Sequence, residues 1–133
     1  MINIEAEVFS PIATAITTAY PTAFVTSEYV RNPSQFPHVS IVETDNYMTP
    51  NRLDTADYEK YSTLTYEINV YSNKTSGKKS ECRSIREMID RMMYDANFVR
   101  LSMTPVPNLE DATIYRLVAR YRAETDGAKI FRV

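Results

Sequence analysis

The segment Ser72-Asn-Lys-Thr-Ser-Gly-Lys-Lys79 is the first place to look for chemistry, because an alternating apolar stretch precedes it and an amphipathic one follows. That is the setting of a phosphate-binding loop, in which backbone N–H groups cradle phosphate oxygens and a Ser or Thr hydroxyl ligates magnesium. The segment departs from that motif at two positions. Ser72 stands where a glycine is required, and Lys79 stands where the hydroxyl is required. The residues therefore predict a polar loop rather than an NTPase site. Lys74, Lys78, Lys79, Arg83 and Arg86 still gather around the start of the following helix, where the helix dipole favours negative charge. A solvated surface accounts for them; contact with an acidic neighbouring subunit or a phosphate backbone is the competing reading.

Other reactive residue types have no partner in the sequence. His38 follows Pro37 in a strand-like segment, and no Ser or Cys stands in a nucleophile motif, so a structural histidine is expected. Cys82, the single cysteine, lies on the apolar stripe of a helix, which predicts a buried thiol. Carboxylates occur as Glu43 and Asp45, as Asp54, Asp57 and Glu59, and as Glu110 and Asp111. They flank turns, as solvated acids do, and form no Asp-loop-Glu-x-Lys pattern of a metal-dependent nuclease. Asn73-Lys-Thr75 is formally a glycosylation sequon, a chance match in a chain without a recognisable secretory signal. Of the ten tyrosines, Tyr47, Tyr58 and Tyr61 lie near a long polar connection and are candidates for interface anchors. These residues predict no catalytic site, cofactor or metal.

The elements that would position these residues follow from periodicity. Val8, Ile12 and Ile16 recur at helical spacing, with either Ser10 capping a helix that starts at Pro11 or a kink there. Residues 23–30 and 36–44 read as two strands paired through a hairpin turn at Arg31-Asn-Pro-Ser-Gln35. Residues 45–57 show no period and predict a mobile or functional loop containing Arg52, Asp54 and Asp57. Leu64, Tyr66, Ile68 and Val70 alternate with polar residues in a strand with one buried face. A second helix carries Cys82, Ile85, Ile89, Met92 and Ala96 on one stripe. A strand over residues 98–104, with Val99, Leu101 and Met103 on one face, ends at Pro105 and Pro107. A last strand over residues 113–125 places Tyr115, Leu117, Ala119, Tyr121 and Ala123 on one face and Arg116, Arg120 and Arg122 on the other. The expected order is α-β-β-β-α-β-β: a single α+β domain, a mostly antiparallel or mixed five-stranded sheet with both helices on one face.

Composition is consistent with this. The chain has 133 residues, the size of one domain. With 44% hydrophobic and 24% charged residues it resembles globular chains and is far from disordered ones. A net charge of −2 argues against a broad nucleic-acid-binding surface. One cysteine excludes an internal disulfide. The acidic N-terminal residues do not resemble a secretory signal, and no apolar run approaches the ~20 residues of a membrane span, so synthesis in the cytoplasm is expected.

Taken together, Phe36-Pro-His-Val-Ser-Ile-Val-Glu43, Tyr66-Glu-Ile-Asn-Val-Tyr-Ser-Asn73, Gly77-Lys-Lys-Ser-Glu-Cys82 and Thr104-Pro-Val-Pro-Asn-Leu-Glu-Asp-Ala-Thr-Ile-Tyr-Arg-Leu-Val-Ala-Arg-Tyr121 resemble the tail terminator, or tail completion, family of siphophages and prophages. The resemblance runs over nearly the whole chain and rests on the order and spacing of segments. It implies a non-enzymatic subunit of a homohexameric ring that caps the tail tube, stops its polymerisation and meets the head connector or head-completion protein. The ring would sit in the virion at the head–tail junction, with DNA only as passing cargo and no membrane contact. It further implies that residues 45–57 order against a neighbour or the major tail tube protein. Arg116, Arg120 and Arg122 would then meet acids such as Glu43, Glu110 or Asp111 of the adjacent copy. A head-completion adaptor is the alternative within this class; a small DNA-binding protein or metal-dependent nuclease is the alternative from another.

Overall fold

The computed structural model describes residues 2–30, 33–48, 61–107 and 113–132. The first helix, α1 (Glu5–Ala19), forms because Val8, Ile12 and Ile16 fall on one face and are buried together. The helix begins at Glu5 and runs through Pro11, so the expected start at Pro11 with Ser10 as cap does not hold, and a turn precedes the proline as in the second expectation. Pro11 cannot donate to the Glu7 carbonyl, but both residues are exposed, so water can satisfy that acceptor. The buried residues on either side of Pro11 keep the helix continuous.

The predicted hairpin is a parallel pair. Strand β1 (Phe24–Thr26) lies beside β2 (His38–Met48) with Phe24 opposite His38 and Thr26 opposite Ser40. A hairpin pairs its strands antiparallel, whereas β1 and β2 run in the same direction. Strand β2 also runs past the expected boundary, so Asp45, Asn46, Tyr47 and Met48 belong to a strand and not a loop. A register shift between Glu43 and Asp45 interrupts the alternation that would have revealed it. The remainder of the predicted 45–57 loop, with Arg52, Asp54 and Asp57, lies outside the described residues, as do Tyr58, Glu110 and Asp111.

Strand β3 (Ser62–Ser72) pairs antiparallel with β2 and with β5 (Tyr115–Thr125), at the centre of the sheet. Helix α2 (Lys78–Asp95) buries Cys82, Ile85, Ile89 and Met93. Met93, four residues after Ile89, takes the core position expected of Met92, while Met92 and Ala96 pack partly buried at its margin. Strand β4 (Val99–Pro107) pairs with β5 and continues through both prolines that were expected to end it. It is an edge strand, where a missing N–H is tolerated. Leu101 falls in a register shift and is exposed, contrary to the expected apolar face. A sixth strand, β6 (Ile130–Phe131), adds to β5; two residues carry no readable alternation.

The architecture is α+β: two helices and a six-stranded mixed sheet in the order β1-β2-β3-β5-β4, with β6 beside β5. One core cluster joins both helices to one sheet face through Leu64, Tyr66, Ile68 and Val70 of β3 and Leu117, Ala119, Tyr121 and Ala123 of β5. Phe98 packs edge-on against Tyr66, ring centroids 5.5 Å apart. The second face of β3 is not simply solvated, since Thr63, Asn69 and Tyr71 are buried there.

Candidate interface on the arginine face of the sheet

The alternation of β5 sends Arg116, Arg120 and Arg122 to the sheet face away from the helices, and the β3 register decides what each one meets. Arg116 lies opposite Tyr71, Arg120 opposite Glu67 and Arg122 opposite Thr65. The structure therefore brings the three predicted arginines into one row but gives them different roles.

Arg116 is held within the fold. Its Nε and Nη2 donate to Asn69 Oδ1 at 3.0 and 2.8 Å, and its guanidinium lies 5.6 Å from the Tyr71 ring centroid and 5.9 Å from that of Tyr29. Burial pushes the Tyr71 hydroxyl up to about 12. Arg120 is 57% exposed and reaches Glu67 Oε1 at 3.4 Å, a long contact that contributes little in water. Arg122 is half-buried, and its Nε is buried without a hydrogen-bond partner among the described residues. Such a donor retains its desolvation cost until something accepts from it.

Next to this row, His38 is fully buried between the Phe24 and Tyr71 rings, with centroids at 5.3 and 5.4 Å. Its Nε2 is 3.1 Å from Thr26 Oγ1, its Nδ1 has no partner, and burial lowers its pKa so that the neutral ring is favoured. These are packing contacts, as expected of a structural histidine. Ser40 Oγ is likewise buried and unpartnered. Tyr47, exposed on this face opposite Thr63, is displayed as an interface anchor would be. Tyr61 instead packs on Phe131, ring centroids 6.2 Å apart.

The remaining predicted residues are elsewhere. Lys78, Lys79 and Arg83 lie on α2, across the sheet from the arginine row. Lys78 Nζ donates to the Thr113 carbonyl at 3.2 Å, and Lys79 and Arg83 are exposed. The loop resembling a phosphate cradle is closed by a carboxylate: Ser72 Oγ donates to Glu81 Oε1 at 2.8 Å, and Lys74 lies 3.8 Å from Glu81. Negative charge at that helix start opposes phosphate binding. Cys82 is buried with its Sγ near the Val70 and Tyr115 carbonyls, and burial pushes the thiol up to about 12.

One cluster was missed in the sequence. Asp90 accepts from the Tyr121 hydroxyl at 2.8 Å and pairs with Arg100 at 3.1 Å; Asp90 and Arg100 line a cleft of about 900 Å³ together with Arg86, Glu87, Arg91, Tyr94 and Asp95. The available signal was Tyr121 itself: a tyrosine on a core-facing position needs a partner for its hydroxyl. Asp90 is neutralised by Arg100, which gives this cluster a structural task. Among the described residues, no three His, Cys, Asp or Glu side chains gather as a metal site, and no helix is long and apolar enough to cross a membrane. In comparisons with known proteins, the chain matches no family model and no curated sequence.

Proposed function

We propose that this chain is a structural, non-enzymatic subunit of a phage tail, one member of a hexameric ring that caps the tail tube. The ring stops tube polymerisation and presents a surface to the head connector or head-completion protein. The observation that carries this reading is the arginine face. Both helices pack on the opposite side of the sheet, leaving this side with Arg120 mostly exposed and Arg122 Nε unsatisfied. A protein partner with carboxylates would pair with the exposed Arg120 guanidinium. The resemblance to tail terminators supplies the kind of partner.

The same geometry weighs against a nucleic-acid reading. Binding to a phosphate backbone needs a continuous basic track, whereas Glu67 lies directly opposite Arg120 and the basic residues of α2 lie across the sheet. The reading is tested by removing the protein during phage assembly. Tails of uncontrolled length that fail to join heads are expected; normal tails beside unsealed heads would favour an adaptor instead. Arg120→Glu should leave circular dichroism unchanged and abolish rings in electron micrographs, and intact rings would remove the arginine face from the interface.

A further inference from the structure

The two edges of the sheet are closed differently. On one side β4 ends in Pro105 and Pro107, which lack the N–H that a further strand would require, so only the part before Pro105 can accept one. On the other side β1 covers only residues 38–40 of β2. Among the described residues, 41–48 of β2 pair with β3 alone, leaving a row of backbone donors and acceptors without strand partners. That open stretch ends in Tyr47 and Met48, 45% and 47% exposed, and the proline-free part of β4 displays Leu101 at 47%.

We propose that residues 43–48 of β2 receive residues 99–104 of β4 from a second copy of this chain, so that the sheet continues across the subunit boundary. The proposal rests on the ring reading, because a closed ring needs two unlike patches on each copy. Pairing of β2 with its own counterpart would bring two sets of Glu43 and Asp45 together, and like charges across strands destabilise. Residues 99–104 carry Arg100 and no acid. Pro105 limits the pairing-competent part of β4 to six residues, which fit within the eight open residues 41–48 of β2.

Topology also sets the direction. Strands β2 and β5 run one way, β3 and β4 the other. A neighbour rotated about an axis roughly along the strands therefore presents its β4 antiparallel to β2, the better-paired geometry. The joined sheet would place exposed Asp45 on the same face as Arg120 and Arg122 of the neighbour, with only β4 between them. This sets a carboxylate on the face that displays the exposed Arg120.

The test compares the full chain at micromolar and millimolar concentration by light scattering and by amide hydrogen exchange. The expected result is an oligomer in which amides of residues 43–48 and 99–104 exchange at least tenfold more slowly than in the monomer. Leu101→Lys, with its fold checked by circular dichroism, should weaken association at least tenfold. An oligomer without added protection in these two segments overturns the edge pairing and leaves the ring reading standing. A chain still monomeric at millimolar concentration also overturns the pairing, while the ring reading is then decided by the assembly test above.

Discussion

Replacing Arg116 should destabilise the fold far more than replacing Arg120, although the two arginines share one strand face. Arg116→Ala removes two hydrogen bonds from a charged donor to Asn69 and a guanidinium from the Tyr71 and Tyr29 rings. Counting the two bonds to the single Asn69 oxygen as one charge-assisted interaction of about 1.5–3 kcal/mol, and the partly desolvated cation–π contact as about 1 kcal/mol, a loss of about 2.5–4 kcal/mol is expected. For a chain of this size, about 1 kcal/mol lowers Tm by roughly 4 °C, which makes the expected fall about 10–16 °C. Arg120→Ala loses one long, exposed ion pair and should fall by no more than about 4 °C. Arg116→Lys should lie between them, because an ammonium keeps the charge but cannot fork to Asn69. Thermal unfolding followed by circular dichroism measures all three. If Arg116→Ala melts within 2 °C of wild type, or Arg120→Ala melts lower than it, the division of the arginine row into a structural member and a free one is wrong.

Tyr121→Phe keeps the buried ring but removes its bond to Asp90; a loss of about 1.5–3 kcal/mol in denaturant unfolding is expected, and an unchanged midpoint would contradict the role given to that bond. His38 has a lowered folded pKa, so between that value and about 6.5 the unfolded chain binds more protons and stability falls as pH drops. His38→Asn should flatten this part of the pH–stability curve, and a wild-type curve that is flat below about 6.5 would show that His38 is not held neutral. Cys82, with its thiol raised by burial, should resist a thiol reagent at pH 8 and react once guanidinium unfolds the chain; rapid native labelling would contradict its burial.

Where one period governed a whole element, the sequence was informative. The alternation of β3 and β5 and the helical spacing in α1 and α2 each reflect a single buried face. What escaped notice depended on tertiary context. Strand β2 continues through Asp45–Met48 because the shift beside Glu43 lets it stay paired with β3, and a local pattern breaks at such a bulge. Pro105 and Pro107 read as terminators, yet an edge position tolerates them. The parallel β1–β2 pair is a tertiary arrangement that local turn propensity does not encode. In the candidate site, the arginine row was legible from alternation alone. Its division was not, because Asn69 and Glu67 reach Arg116 and Arg120 through a register between strands distant in sequence.

The central claim, that this chain ends tail-tube growth, is tested most directly by polymerising the major tail tube protein with and without added chain and measuring tube lengths in electron micrographs. The account predicts shorter tubes as the chain is added, each carrying ring density at one end, and no such effect from Arg120→Glu. Tubes of the same length distribution with no density at their ends would contradict it.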